Sequence, residues 1–356
     1  MIQNDLGSNP CEASEKQENE LGWGEVTAVV YVGANQTNDN VAGTALNISS
    51  LLIQVGHKGQ YGLATGPISG AGQSVSKVKV WEPNQGGIRI GAEYLPVTGT
   101  SGSPVQVVDN VVEYSWMEGI VAEGSHIRVA ENEVNETSAH GIAAYGKTMS
   151  YIEIAHNTII GSSWGASLDG SFEWYEKEGG KEVLKRAVGE HNSVYDNTIE
   201  DTCVGAILYR QVDASVAGNY FADPETGWTP KGHEQGCPEF EPTGIAVSNS
   251  YDNGIWSNQV WNFNEGVRLF DGGNSPGGVG THWNYVGRVL EIGQPWPWPI
   301  EGNWINYPVT GLVAKSPDPP NDDYNEFAGN AVDYAKEACY VDSFQYLTEN
   351  NFSACG

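Results

Sequence analysis

Basic residues are scarce in this chain. Of its 356 residues only 17 are Lys or Arg, against 45 Asp or Glu, which leaves a formal net charge of −28. Neutralising a phosphate backbone takes clustered Lys and Arg, so the sequence argues against a nucleic-acid binder. The same surplus of acid opposes docking on anionic membranes. Long apolar runs are missing as well: no stretch of roughly 18 or more apolar residues exists to span a bilayer as a helix. The opening MIQNDLGSNPCEASEKQENE lacks the apolar segment of a secretory signal, and a mature or cloned form is expected. Methionine is rare, at 3, and Leu-rich helical patterns are few. What is abundant instead is Gly, at 45, with 17 Tyr and 12 Trp, a composition of short strands and frequent turns. Length alone admits two or three domains or one large repetitive one.

Cysteines are few and odd in number, at positions 11, 203, 237, 339 and 355. Four Asn-x-Ser/Thr sequons stand at Asn35, Asn47, Asn135 and Asn351. With the acidic surface they fit an extracellular or cell-surface protein. Salt adaptation would give the same charge without bearing on function. Cys339 and Cys355 are expected to close a short loop worth about 3 kcal/mol, and Cys203 to pair with Cys237, leaving Cys11 over. The alternative is five reduced thiols in a cytosolic protein.

A Gly-initiated, strand-like segment recurs. It reads GIRIG from Gly87, GIVAE from Gly119, GIAAY from Gly141, GASLD from Gly165 and GAILY from Gly205. It continues as GIAVS from Gly244, GVRLF from Gly266, GRVLE from Gly287 and GLVAK from Gly311. A second mark, Asn followed by a β-rich stretch, stands at Asn110, Asn132, Asn157, Asn197, Asn219, Asn258 and Asn303. Most of these Asn precede the next Gly strand by 8 or 9 residues. Two marks held in phase describe a coil of roughly 22 residues with two or three short strands. Each strand would meet its copy about 4.8 Å away in the next coil. Stacked Asn side chains would close the polar groups of a turn, and Gly would permit sharp entry into the strand. The second and fourth strand positions, mostly Ile, Val, Leu or Ala, would face a narrow interior.

This pattern resembles the right-handed parallel β-helix, pectin-lyase-like superfamily, over about Ser74 to Lys315, through its repeat and not through a catalytic motif. The fold expected is all-β: an acidic leader over 1–25, a single β-helix over 26–315 and a C-terminal cap over 316–356, with EFAGNAVDYAKEACYV as a capping helix. Asn284, only 3 residues before Gly287, is out of phase with the turn Asn. Two insertions interrupt the coils, one between Gly170 and Glu190 and one between Phe221 and Thr243. In the first, Lys181 to Val188 is expected to be a short helix.

In the resembled fold, the outer side of one sheet is the usual carbohydrate groove. Outward fifth positions of the Gly strands include Glu123, Tyr145, Asp169, Tyr209, Ser248 and Phe270, and outward third positions include Arg89 and Arg268. Tyr145, Asp169 and Tyr209 would stack on three successive coils, flanked by His140, Lys147, Trp164 and Arg210. That set suits an acidic glycan: His or Tyr abstracts the C5 proton of a uronate, a cation steadies the carboxylate, and a second Tyr protonates the leaving oxygen. The catalytic candidates are therefore Tyr145, Asp169, Tyr209, Arg210 and His140, and the substrate-binding candidates are Lys147, Trp164, Arg268, Asp271 and Trp228. By residue type the set looks like the sites of β-helical lyases and uronate epimerases. No DPHE-like segment, pectate-lyase-type motif or polygalacturonase Asp pair accompanies it.

Two readings compete with a secreted polysaccharide lyase or epimerase. One is a non-catalytic glycan-binding or adhesion module. The other is a glycoside hydrolase, using Asp169 with Glu123 about 9–10 Å away, or Asp271 with Glu265. No cofactor is expected. His233, Glu234 and Cys237 lack zinc-site spacing, and Asp318, Asp322 and Asp323 offer at most a Ca²⁺ site without EF-hand spacing. Trp296, Trp298 and Trp304 cluster where they would cover a coil edge or stack on sugar.

Overall fold

The chain turns a corner wherever one residue enters the left-handed region and Asn follows. Asp109, Glu131, His156, Asp196 and Ser257 have φ between 52° and 59°, and each directly precedes a ladder Asn. The structure is a computed structural model. It describes residues 2–4, 28–32, 47–55, 61–65, 72–83, 85–91, 97–222, 242–270, 281–287, 303–306, 308, 310–315, 325–333, 335, 337–341 and 346–348. Among these there is no helix.

One coil shows the plan. A strand at Gly124–Ala130 leads to the corner at Asn132. The next strand, Glu133–Tyr145, bends between Thr137 and His140, and Met149–Ala155 returns beneath Gly124–Ala130. Three faces result, and each pairs in parallel with its copies above and below. On the Gly-strand face the third positions stack in register as Arg89, Val121, Ala143, Ser167, Ile207, Ala246, Arg268 and Val313. The second and fourth positions, such as Ile120 with Ala122 and Ala166 with Leu168, fill one continuous interior.

Asn side chains run through that interior as a ladder. Asn132 donates from its backbone N–H and its Nδ2 to Asn157 Oδ1, at 3.0 and 2.9 Å, and from Nδ2 to Val107 O at 2.8 Å. The same pattern carries Asn157 to Asn197, Asn197 to Asn219, Asn219 to Asn258, Asn258 to Asn303 and Asn303 to Asn330. Each amide thus supplies partners to backbone groups that no water reaches. Asn284 belongs to a second ladder at another corner, accepting from Asn253 and donating to Asn325.

The repeated Gly has a reason other than the one expected. Gly119, Gly141 and Gly165 are not among the positive-φ residues. A Cβ at Gly141 would instead overlap Ile159 Cγ2 and lie 2.8 Å from Gly165 O. The next coil occupies the space a side chain would need.

Two expected helices are strands. Glu173–Glu178 and Lys181–Arg186 form an antiparallel hairpin, not a helix at Lys181 to Val188. Gly179 and Gly180, at φ 58° and 84°, make the tight two-residue turn that hairpins favour. Across it Glu178 faces Lys181 and Lys177 faces Glu182. The segment expected as a capping helix adds another coil instead. Glu326–Ala328, Ala331–Asp333 and Glu337–Val341 pair in parallel with Tyr285–Gly287, Trp304–Asn306 and Thr310–Lys315. Asn325 and Asn330 extend the two ladders there, and Cys339 is buried opposite Leu312. At the other end Ile2–Asn4 lies parallel to Ile53–Val55. Cys11, Cys237 and Cys355 lie outside the described residues, as do both metal candidates, Trp296 and Trp298.

Candidate functional site on the Gly-strand face

Strand register alone places Tyr145, Asp169 and Tyr209 side by side on consecutive coils. His140 and Trp164 likewise face one another, and their rings stack with centroids 4.5 Å apart at 25°. Burial pushes the His140 imidazole down to about 4, against the opposing pull of Asp169, so the ring is neutral at pH 7. Its Nδ1 is buried without a hydrogen-bond partner. Burial also holds Tyr145 well above the ordinary phenol range, with Tyr61 adding to the effect, so its hydroxyl keeps its proton.

The hairpin stands beside this row and engages its cations. Lys147 Nζ lies 3.1 Å from Glu176 Oε1 and 4.8 Å from the centroid of the Trp174 ring. Arg210 reaches Glu173 Oε1 at 3.3 Å and donates to Gly170 O at 3.4 Å, while its guanidinium lies 5.1 Å from the Tyr209 ring centroid. Arg268 pairs with Glu265 at 3.1 Å, and the register sets it three coils beyond Ser167, away from the cluster. Asp271 and Trp228 lie outside the described residues.

Sequence reasoning missed a second group at the near end of the row. Arg89 and Glu123 form a 2.7 Å ion pair with side chains 6% and 0% exposed. Arg89 also donates to Tyr61 Oη at 3.3 Å, and its guanidinium lies 5.3 and 5.8 Å from the Tyr61 and Tyr145 ring centroids. Tyr61 Oη in turn donates to Glu118 Oε2 at 3.4 Å. Gly86, between them in the row, leaves room for that reach, because a Cβ there would overlap the Tyr61 ring. Burial alone would lower Arg89, but the Glu123 carboxylate together with Tyr145 and Tyr61 more than offsets it and the guanidinium stays charged. Burial raises the Glu118 carboxyl. A signal was present in the strand GIRIG, whose Arg89 stands in a row that continues with the uncharged Val121, Ala143 and Ser167. Those three are buried too, whereas Tyr145, Asp169 and Tyr209 beside them stay partly exposed. Glu123, already paired with Arg89, is therefore not the available carboxylate that a hydrolytic pair with Asp169 would need.

Comparison with known proteins agrees with this architecture. Residues 74–234, under half of the chain, match the model of the family described as periplasmic copper-binding protein (NosD). No curated protein matches the sequence. Among solved structures, the periplasmic alginate epimerase AlgG is similar at a TM-score of 0.51 and 12% identity, over 82% of this chain and 62% of that one. The chain thus spans less than two thirds of that epimerase's length. An alginate lyase from Paenibacillus sp. str. FPU-7 aligns at a TM-score of 0.31 and 11% identity, over 86% of this chain and 100% of that one. At such identities the likeness speaks for the fold alone. Together with the parallel ladders, the likeness to the epimerase shows a parallel β-helix fold.

Proposed function

We propose that this chain is an extracytoplasmic, polysaccharide-active β-helix that acts on an acidic glycan as a lyase or an epimerase. The observation that carries the reading is the in-register row of Tyr145, Asp169 and Tyr209 beside a half-buried, neutral His140. A polymer lying along the helix axis would present successive units to successive coils. His140, uncharged, accepts the C5 proton of a uronate, and the electron pair moves onto the sugar carboxylate. Tyr145, held protonated, donates its proton to the departing glycosidic oxygen in elimination, or back to C5 in epimerisation. Lys147 and Arg210 sit in partly exposed ion pairs that are individually weak. An incoming carboxylate exchanges with Glu176 or Glu173 and is neutralised in their place. The likeness to an alginate epimerase, and the periplasmic setting named for both it and the matched family, support the substrate class and the compartment.

Copper, named in the matched family, finds no fitting donor set: among the described residues no three His, Cys, Asp or Glu side chains converge as metal ligands.

Incubation with a panel of acidic polysaccharides tests the reading. Ultraviolet absorbance reports unsaturated uronates, and NMR reports C5 inversion. Activity is expected, reduced by about 100-fold or more in His140→Gln and Tyr145→Phe. Retention on a glycan matrix with neither product would favour a binding module instead. The prior pairing of Lys147 and Arg210 with hairpin acids is the observation that favours that second reading.

A further inference from the structure

A different face of the coil carries a row of small residues broken by two aromatics. In register it reads Ala130, Ala155, Tyr195, Ala217 and Trp256. Tyr195 and Trp256 are two coils apart, about 9.6 Å along the axis, with half-buried Ala217 as the floor between them. Between them lies a cavity of about 360 Å³ lined by Tyr195, Asp196, Ser215, Ala217, Trp256 and Ser257, with Gly218 completing it. That volume falls at the small end of the range of roughly 300–1,000 Å³ used for small ligands.

Both rings are held in place. Tyr195 Oη donates to Glu153 Oε1 at 2.5 Å, and Arg128 clamps the same carboxylate at 2.7 Å. The Trp256 ring lies over Gly254, where a Cβ would overlap Cζ3. Rings fixed before a ligand arrives lose little entropy on binding. Their flat, partly apolar surfaces suit the C–H face of a sugar, and Asp196, Ser215 and Ser257 suit its hydroxyls. No Lys or Arg lines the cavity, and Asp196 adds a carboxylate, so an anionic sugar would meet repulsion and no counter-charge.

We infer that the slot between Tyr195 and Trp256 is a binding site for an uncharged pyranose ring of a glycan, separate from the Gly-strand face. It would hold a neutral chain, or a neutral stretch of a mixed one, whatever chemistry the other face performs.

The test is titration of the full chain with cellohexaose, mannohexaose, maltohexaose and chitohexaose, and in parallel with uronate hexamers, read by heat and by tryptophan fluorescence. At least one uncharged hexamer is expected to bind. Trp256→Ala should weaken it by at least about tenfold, whereas Asp169→Asn should leave it unchanged. Ala217→Trp fills the slot from a half-exposed position and should abolish binding while circular dichroism stays that of the parent. The inference is overturned if no uncharged hexamer binds, if uronate hexamers bind more tightly, or if Trp256→Ala or a folded Ala217→Trp binds like the parent. Loss of lyase or epimerase activity would leave these results untouched, so the two readings fail separately.

Discussion

Two regions of this molecule bury polar groups, and they do so in opposite ways. In the interior, Asn132, Asn157, Asn197 and Asn219 each repeat the same set of bonds to the next coil and to a backbone carbonyl. On the Gly-strand face, Tyr61, Arg89, Glu118 and Glu123 come from three coils and use a different bond at each step. The first solution can be copied along any number of coils, because every amide supplies both a donor and an acceptor. The second occurs once among the described residues and depends on charge. A group that cannot be propagated along a solenoid has a local role, and this one borders Tyr145.

The comparison breaks most sharply at Asn157. Replacing it with Ala takes the shared acceptor from the buried Asn132 N–H and from one Asn132 Nδ2 proton, and removes a donor from the Val129 carbonyl. At about 1–3 kcal/mol for each of these two orphaned donors, a loss of roughly 2–6 kcal/mol is expected, measured as a lowered denaturation midpoint. A variant with unchanged stability would mean that water enters the ladder.

The charged group should respond differently to single and double replacement. Arg89→Met alone leaves Glu123 as an uncompensated buried charge and should cost about 3–5 kcal/mol. Arg89→Met with Glu123→Leu should recover most of that, because the pair's attraction is largely offset by its desolvation. Equal losses in the single and double variants would show that the pair's packing, not its charge, holds the site.

The smallest expected effect is a pH dependence. Folding depresses the His140 pKa to about 4 from 6.5. The unfolded chain therefore takes up a proton first, and stability present above pH 6.5 is lost as pH falls toward 4. His140→Gln should flatten stability in that window. A profile identical to the parent's would place the imidazole in contact with water.

Much of the fold was legible because it repeats. Asn110 through Asn303 and the Gly strands mark the coils in phase, and the same phase predicts the stacking of Tyr145, Asp169 and Tyr209 that the ladders show. Elements outside the repeat read less well. Lys181 to Val188 carries good helix formers, yet Gly179 and Gly180 turn it into a hairpin strand. EFAGNAVDYAKEACYV is expected to be a capping helix, yet an existing sheet edge and the Asn ladders capture it as another coil. Of the candidate cations, the sequence could name Lys147 and Arg210 but not their engagement with Glu176 and Glu173, which lie far along the chain.

By itself, the sequence determined that this chain coils: its period, its Asn corners and the rows of its side chains follow from marks a fixed number of residues apart. Tertiary structure decided which of those rows are buried, which charges neutralise one another, and which aromatics stand apart with a gap between them. Register depends only on spacing along the chain. Burial and pairing depend on what packs against a row from another coil or from an insertion, as Tyr61 does across Gly86 and as the hairpin does beside Tyr209.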